Sequence, residues 1–328
     1  MLNMVGKLEE LKRDASITVN GLLDDIDIEK ARIIEIEAKK DSYIASQLAE
    51  IEKALEGINI AHSEKWNRVY SLYSEAMVYL ELHSRIAIER RAERAKEQKK
   101  TSDFYITFEG KVVYAEYKAL MRAGGDLNYR DMNLRGLENA LYVEERTEAG
   151  DQTIITEFVH QPFKKDDRNY DPYSIRQKTE ILIDKLEQNY KSEQYEDGET
   201  IAIVDLAQLY KTDMLKYAIV PAFYDNAKKC IVSGFVWNAL FGREGTTIFR
   251  YPDFPGASNF DGYLSKDGFL VKHSNVMAVL FRTADLSGQS YYAGISNDGC
   301  DEATRRMLYR VSSAINDHKN EGFYLLYR

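Results

Sequence analysis

The chain has 328 residues, of which 44% are apolar and 30% charged, with a formal net charge of −9. This length can hold one large domain or two smaller ones, and the apolar content suffices for a sizeable core. An acidic chain of this kind does not bind nucleic acid through its overall charge, so any phosphate contact must be local. A basic segment at residues 83–101 has the composition for a local phosphate contact, because it contains seven Lys and Arg and only three Glu.

Several classes of protein are excluded by what the sequence lacks. Two cysteines, Cys230 and Cys300, are too few for a disulfide framework or a cysteine zinc site. The sequence contains neither a phosphate-binding P-loop nor the nucleophile elbow of a serine hydrolase. Its N-terminus lacks the apolar core of a signal peptide, and no run reaches about 18 apolar residues. We therefore predict a cytoplasmic protein that does not associate with membranes.

The N-terminal segment, residues 1–60, is charge-rich and has the pattern of helices. Five of its apolar residues repeat at intervals of four and three, the spacing of a coiled-coil seam: Ile44, Leu48, Ile51, Leu55 and Ile58. The pattern predicts a helical arm, built as a helical hairpin or as a short segment that dimerises. Helices packed on their own domain remain the alternative.

A second helix is predicted over residues 62–98, because its apolar residues recur mostly at helical spacing. Two glutamates of this run, Glu75 and Glu81, precede the next predicted element and are candidates for a site there.

A β-hairpin follows, with strands at 103–108 and 111–118 joined by Glu109-Gly110. A two-residue turn places Asp103 directly opposite Glu116, with Cβ atoms about 4.5–5.5 Å apart on one face. Lys118 lies on the same face, because side chains alternate along a strand. Two opposed carboxylates repel each other, and a divalent cation would compensate because hard cations take carboxylate oxygens.

Beyond the hairpin, the pattern predicts a helix over 130–146, a strand at 153–159, a helix from Pro172 and a strand at 200–207. His160 ends the 153–159 strand and could approach the carboxylates, although a packed or solvated histidine is the simpler interpretation. The remainder, residues 208–328, is mixed. Its predicted elements are strands at 230–237, 246–251, 275–281 and 290–296 and a helix at 301–318. This part either extends the sheet or forms a second lobe.

Asp103, a short hairpin and Glu116-Tyr117-Lys118 make the chain similar to the PD-(D/E)XK nuclease-like superfamily. Ser102 stands where that motif usually has proline. The resemblance implies an α/β fold with a restriction-endonuclease-like αβββαβ core and a mixed sheet over residues 61–207. The helical arm would precede this core, and the mixed region 208–328 would be a C-terminal extension.

The resemblance also implies a chemistry. Asp103, Glu116 and the Tyr117 backbone carbonyl would hold Mg²⁺, for which Mn²⁺ would substitute, and Lys118 would orient the attacking water. Glu75, or less plausibly Glu81, would complete the metal site. The second core helix of the superfamily often offers a glutamine or lysine to the site, and the possible matches are Gln177, Lys178, Lys185 and Gln188.

The expected activity is therefore endonucleolytic cleavage of DNA, or alternatively of RNA, in a setting such as restriction or anti-phage defence. The N-terminal helices would supply a homo-oligomer contact or a docking surface for a protein partner. Two alternatives remain open. In the first, the hairpin is an ordinary solvated one. In the second, the chain is a non-catalytic interaction or DNA-binding protein that uses its helical arm.

Overall fold

A computed structural model describes residues 3–14, 21–59, 63–91, 102–123, 138, 141–150, 161–164, 170–196, 198–212, 215–320 and 323–326. The chain divides into two compact units. Residues 1–77 and 121–172 form the first, and residues 78–120 and 173–328 form the second. The fold class is α/β, as predicted. The predicted boundary at 207/208 does not separate units, since the chain on both sides of it belongs to the second unit.

The regular elements described in the first unit are helices. Its helices are α1 (Met4–Asp14), α2 (Gly21–Asp24), α3 (Ile28–Glu37), α4 (Ser42–Leu55), the first part of α5 (Ser63–His83) and α6 (141–148). Aspartates fix two of the helix starts. Asp27 accepts hydrogen bonds from the first backbone N–H groups of α3, and Asp41 does the same for α4.

The predicted coiled-coil seam lies on α4 and just after it, and it is mostly buried. Ile44, Ile51, Leu55 and Ile58 are buried, and Leu48 is half-buried. Helices α1, α3 and α4 contact one another. The seam therefore packs inside the chain, which matches the alternative of helices packed on their own domain. These residues do not offer a second copy the surface that a dimerising arm needs.

The second unit carries the sheets. Its strands are β1 (Ala87–Arg90), β2 (Phe104–Phe108), β3 (Lys111–Ala119), β4 (Thr200–Asp205), β5 (Ala222–Asp225), β6 (Cys230–Ser233), β7 (Thr247–Phe249), β8 (Phe260–Tyr263), β9 (Val276–Ala284), β10 (Ser290–Ser296), β11 (Ala314–Asp317) and β12 (Phe323–Leu326). Its helices are α7 (Ile175–Asn189), a 3₁₀ turn (Ser192–Tyr195), α8 (Leu215–Ala218), α9 (Phe235–Phe241), α10 (Phe269–Lys272) and α11 (Glu302–Val311).

The largest described sheet has seven strands in the order β1-β2-β3-β4-β9-β10-β11. It is mixed, as predicted. The β1–β2, β2–β3 and β9–β10 pairs are antiparallel, and the β3–β4, β4–β9 and β10–β11 pairs are parallel. Strands β9, β10 and β11 thus extend the same sheet as the hairpin, whereas β12, β5 and β6 form a three-stranded sheet and β7 and β8 a two-stranded one. β4 is buried along its whole length and lies at the centre of the sheet.

Three predicted elements differ from the structure. The helix predicted over 62–98 ends at His83, and β1 follows. Ile86 and Ile88 are buried while Ala87 and Glu89 are exposed, so the burial here has the period of a strand. The segment predicted as a strand at 230–237 is strand only to Ser233, after which α9 begins.

The helix predicted over 301–318 ends at Val311, and Ala314–Asp317 pairs in parallel with β10 as β11. That pairing depends on a distant strand, which local periodicity does not reveal. The strand predicted at 153–159, His160 and the basic residues 92–100 lie outside the described part of the chain.

Candidate active site

The hairpin of β2 and β3 has the register that the sequence predicts. Phe108 pairs with Lys111 and Phe104 with Ala115, so the turn consists of two residues. Both turn residues have positive φ, 50° at Glu109 and 79° at Gly110, as a tight type I′ hairpin turn requires. Continuing the register by one residue sets Asp103 against Glu116.

The two faces of the hairpin differ in character. Phe104, Ala115 and Tyr117 are buried on one face. Alternation along the strands places Asp103, Glu116 and Lys118 on the other face. The structure therefore brings together the two carboxylates and the amine that the sequence predicts to converge.

Asp103 is held against the backbone of β3. Its Oδ2 accepts a hydrogen bond from the Tyr117 N–H at 2.9 Å, and its Oδ1 lies 3.3 Å from Arg90 Nη1. Its side chain is about a quarter exposed, at 23%. Asp103 is thus fixed in position beside Glu116 and remains accessible from solvent.

Glu116 is fully buried, with a relative exposure of 0%. Its Oε1 accepts hydrogen bonds from Lys118 Nζ and from Gln194 Nε2. Its Oε2 is also buried and accepts no hydrogen bond from the described residues. Burial, and then the charge of Asp103, raise the pKa of Glu116 to about 7, and Lys118 offsets only part of this effect.

Gln194 and Tyr195 cover this face, and the sequence did not identify either. They lie on the 3₁₀ turn that follows α7, and both are buried. Burial, and then the charge of Glu116, raise the pKa of Tyr195. Gln194 lies just beyond α7, at a position that helical spacing does not mark. A contact to the site from Gln177, Lys178, Lys185 or Gln188 stays a prediction.

Glu75, the third predicted carboxylate, belongs to the first unit. Its Oε1 accepts hydrogen bonds from Tyr43 Oη at 2.7 Å and from Gln47 Nε2 at 3.1 Å. Helix α4 thus supplies partners for this carboxylate. Its participation in the site of the second unit stays a prediction.

Glu81 belongs to a different cluster. It accepts hydrogen bonds from Tyr292 Oη at 2.6 Å, Ser290 Oγ at 2.7 Å and Arg282 Nε at 3.2 Å. Arg282 also donates to Asp205, which pairs in register with Ala119 and so lies on the face opposite Lys118. Burial alone would raise the pKa of Glu81, but Arg282 and these hydrogen bonds lower it. Glu81 therefore serves a buried ion-pair network and not the predicted metal site.

The donor set at Asp103 and Glu116 can be compared with what Mg²⁺ requires. The described residues contain no group of three or more His, Cys, Asp or Glu side chains arranged to hold a metal. Mg²⁺ is usually bound by one or two carboxylates and keeps several waters or substrate oxygens. Two carboxylates, one of them with a buried oxygen that accepts no hydrogen bond from the described residues, fit that requirement.

Comparisons with protein-family models, with curated proteins and with solved structures find no match. Among the helices that the structure describes, none has both the length and the apolar character to cross a membrane. The functional interpretation therefore depends on the geometry of the site itself.

Proposed function

We propose that this protein is a metal-dependent endonuclease that hydrolyses phosphodiester bonds in DNA. One observation carries the proposal. Asp103 and Glu116 meet on one face of a hairpin with Lys118 beside them, and the buried Oε2 of Glu116 accepts no hydrogen bond within the described chain. An ordinary solvated hairpin would expose these groups to water, because burying a carboxylate is costly.

The order of elements supports the proposal. Helix α5 is followed by β1, β2, β3, α6, α7 and β4, which contains the αβββαβ order of the superfamily that the sequence resembles, with α6 as an additional helix. Asp103 directly precedes the second of these strands, and Glu116-Tyr117-Lys118 lies within the third. The first strand of this order is β1, which lies in a segment that the sequence pattern predicted as helix. The strands of this order are therefore not all the ones predicted from the sequence.

The residues have distinct roles in this proposal. Asp103 and Glu116 would hold Mg²⁺, with the Tyr117 carbonyl as a further ligand. When bound, the ion supplies Lewis acidity and lowers the pKa of a bound water. Lys118 positions the attacking water and stabilises the negative charge that develops on the phosphate. Arg90, within 3.3 Å of Asp103 and partly exposed, offers a bidentate contact to an adjacent phosphate.

The test is cleavage of supercoiled plasmid in Mg²⁺ or in EDTA by the wild type, Asp103→Asn and Lys118→Ala. The matched control is Asp253→Asn. Asp253 follows Pro252, as the motif aspartate usually follows a proline, but Asp253 is exposed and pairs with Arg250 at 3.0 Å. We expect the wild type and Asp253→Asn to cut in Mg²⁺ only, and the two site variants to lose cutting.

Cutting by Asp103→Asn at the wild-type rate would end the assignment. A parallel assay with RNA of the same sequence separates the substrates. Cleavage of RNA alone would keep the site and change the nucleic acid. If neither substrate is cut, and if Asp103→Asn leaves the protein's effect in cells unchanged, a non-catalytic interaction protein is favoured.

A further inference from the structure

Gln194 presents a second buried oxygen at this site. Its side chain donates through Nε2 to Glu116 Oε1, and the residue is 7% exposed. Its Oε1 is buried and accepts no hydrogen bond within the described residues, and the same holds for Glu116 Oε2. Glu116 and Gln194 are thus hydrogen-bonded to each other, and each side chain has one buried oxygen that accepts no hydrogen bond from the described residues.

This arrangement is unfavourable unless something else binds there. A buried acceptor without a partner costs about 1–3 kcal/mol, and more when it is charged. Lys118 Nζ and Gln194 Nε2 both donate to the other oxygen of the Glu116 carboxylate, Oε1. The buried oxygens Glu116 Oε2 and Gln194 Oε1 can therefore serve as ligands of a cation. Hard divalent cations take both carboxylate and amide oxygens as ligands.

We propose that the Gln194 side-chain oxygen is a ligand of the divalent cation, alongside Asp103 and Glu116. This assignment rests on the nuclease function proposed above and extends it to a residue outside the Asp…Glu-x-Lys motif. The 3₁₀ turn Ser192–Tyr195, which carries Gln194, would then contribute a ligand together with the hairpin. A glutamine supplies an oxygen without adding a charge, which limits repulsion beside two carboxylates.

The test is Mn²⁺ binding without nucleic acid, measured by electron paramagnetic resonance titration of free Mn²⁺. Two substitutions separate the roles of the two amide atoms. Gln194→Met keeps the length of the side chain and removes both the oxygen and the N–H donor. Gln194→Glu removes the donor and keeps an oxygen. Gln289→Met, at an exposed turn, is the matched control.

We expect Gln194→Met to weaken Mn²⁺ binding by about 10- to 100-fold, the range found when groups that support a metal site are removed. Gln194→Glu should bind at least as tightly as the wild type, and Gln289→Met should be unchanged. Weakening by both Gln194 variants would overturn the assignment, because it would show that only the N–H donor matters. Wild-type binding by Gln194→Met would overturn it as well.

Asp103→Asn distinguishes failure of this assignment from failure of the nuclease proposal. If Asp103→Asn abolishes Mn²⁺ binding while both Gln194 variants bind like the wild type, the metal site stands and only the assignment of Gln194 as a ligand is contradicted. If the wild type binds no Mn²⁺, or if Asp103→Asn binds it equally well, the proposed metal site itself is contradicted.

Discussion

Replacement of Glu116 by glutamine should stabilise the metal-free protein at alkaline pH, although it removes a carboxylate of the proposed site. Burial and Asp103 raise the pKa of Glu116 from 4.5 to about 7. The folded chain therefore holds this proton more tightly than the unfolded chain. The resulting stability is fully present below pH 4.5 and is lost as the pH rises through 7. Since each pH unit corresponds to about 1.4 kcal/mol, the loss is about 3 kcal/mol at pH 8 and about 1 kcal/mol at pH 5.

Urea denaturation in EDTA measures this effect. The stability of Glu116→Gln relative to the wild type should increase by about 2 kcal/mol between pH 5 and pH 8, because the amide does not ionise. Glu109→Gln is the control, since Glu109 forms an exposed ion pair with Arg306, and such pairs contribute about 0–1 kcal/mol. A stability difference between Glu116→Gln and the wild type that does not change with pH would show that Glu116 does not titrate with a raised pKa.

Three further outcomes follow from individual contacts. Arg282→Met should cost about 3–5 kcal/mol in urea denaturation, because it leaves buried carboxylates without their cation, whereas the exposed Arg306→Met should cost under about 1 kcal/mol. Equal effects of the two would contradict the buried network. Lys118→Ala should lower the cleavage rate by about 10²- to 10³-fold in single-turnover assays with the circular dichroism spectrum unchanged, and a loss below about tenfold would leave Lys118 without its role. Gly110→Ala should destabilise the second unit by about 1–2 kcal/mol, since φ is 79° there, and an unchanged urea midpoint would argue against the tight turn.

The hairpin could be predicted because its signals are local. The Glu109-Gly110 turn and the alternation of side chains fix the register without reference to the rest of the chain. With the register known, the meeting of Asp103, Glu116 and Lys118 follows. Tyr117 was expected to offer its carbonyl, and the structure adds that its N–H holds Asp103.

Other features could not be predicted because they depend on distant contacts. Gln194 reaches Glu116 across 78 residues of sequence, and nothing in its local spacing distinguishes it from the glutamines of α7. β11 continues a segment with helical pattern but pairs with β10. The apolar spacing on α4 predicts that these residues are buried against another surface. The local pattern does not distinguish burial against a second copy from burial within the same chain.

Diffraction from crystals soaked in Mn²⁺, at a wavelength where manganese scatters anomalously, would locate the metal ion itself. We expect an anomalous peak within coordination distance of Asp103 and of Oε2 of Glu116, with an oxygen of Gln194 also in contact. Manganese bound elsewhere on the protein, with no peak between these two carboxylates, would contradict it.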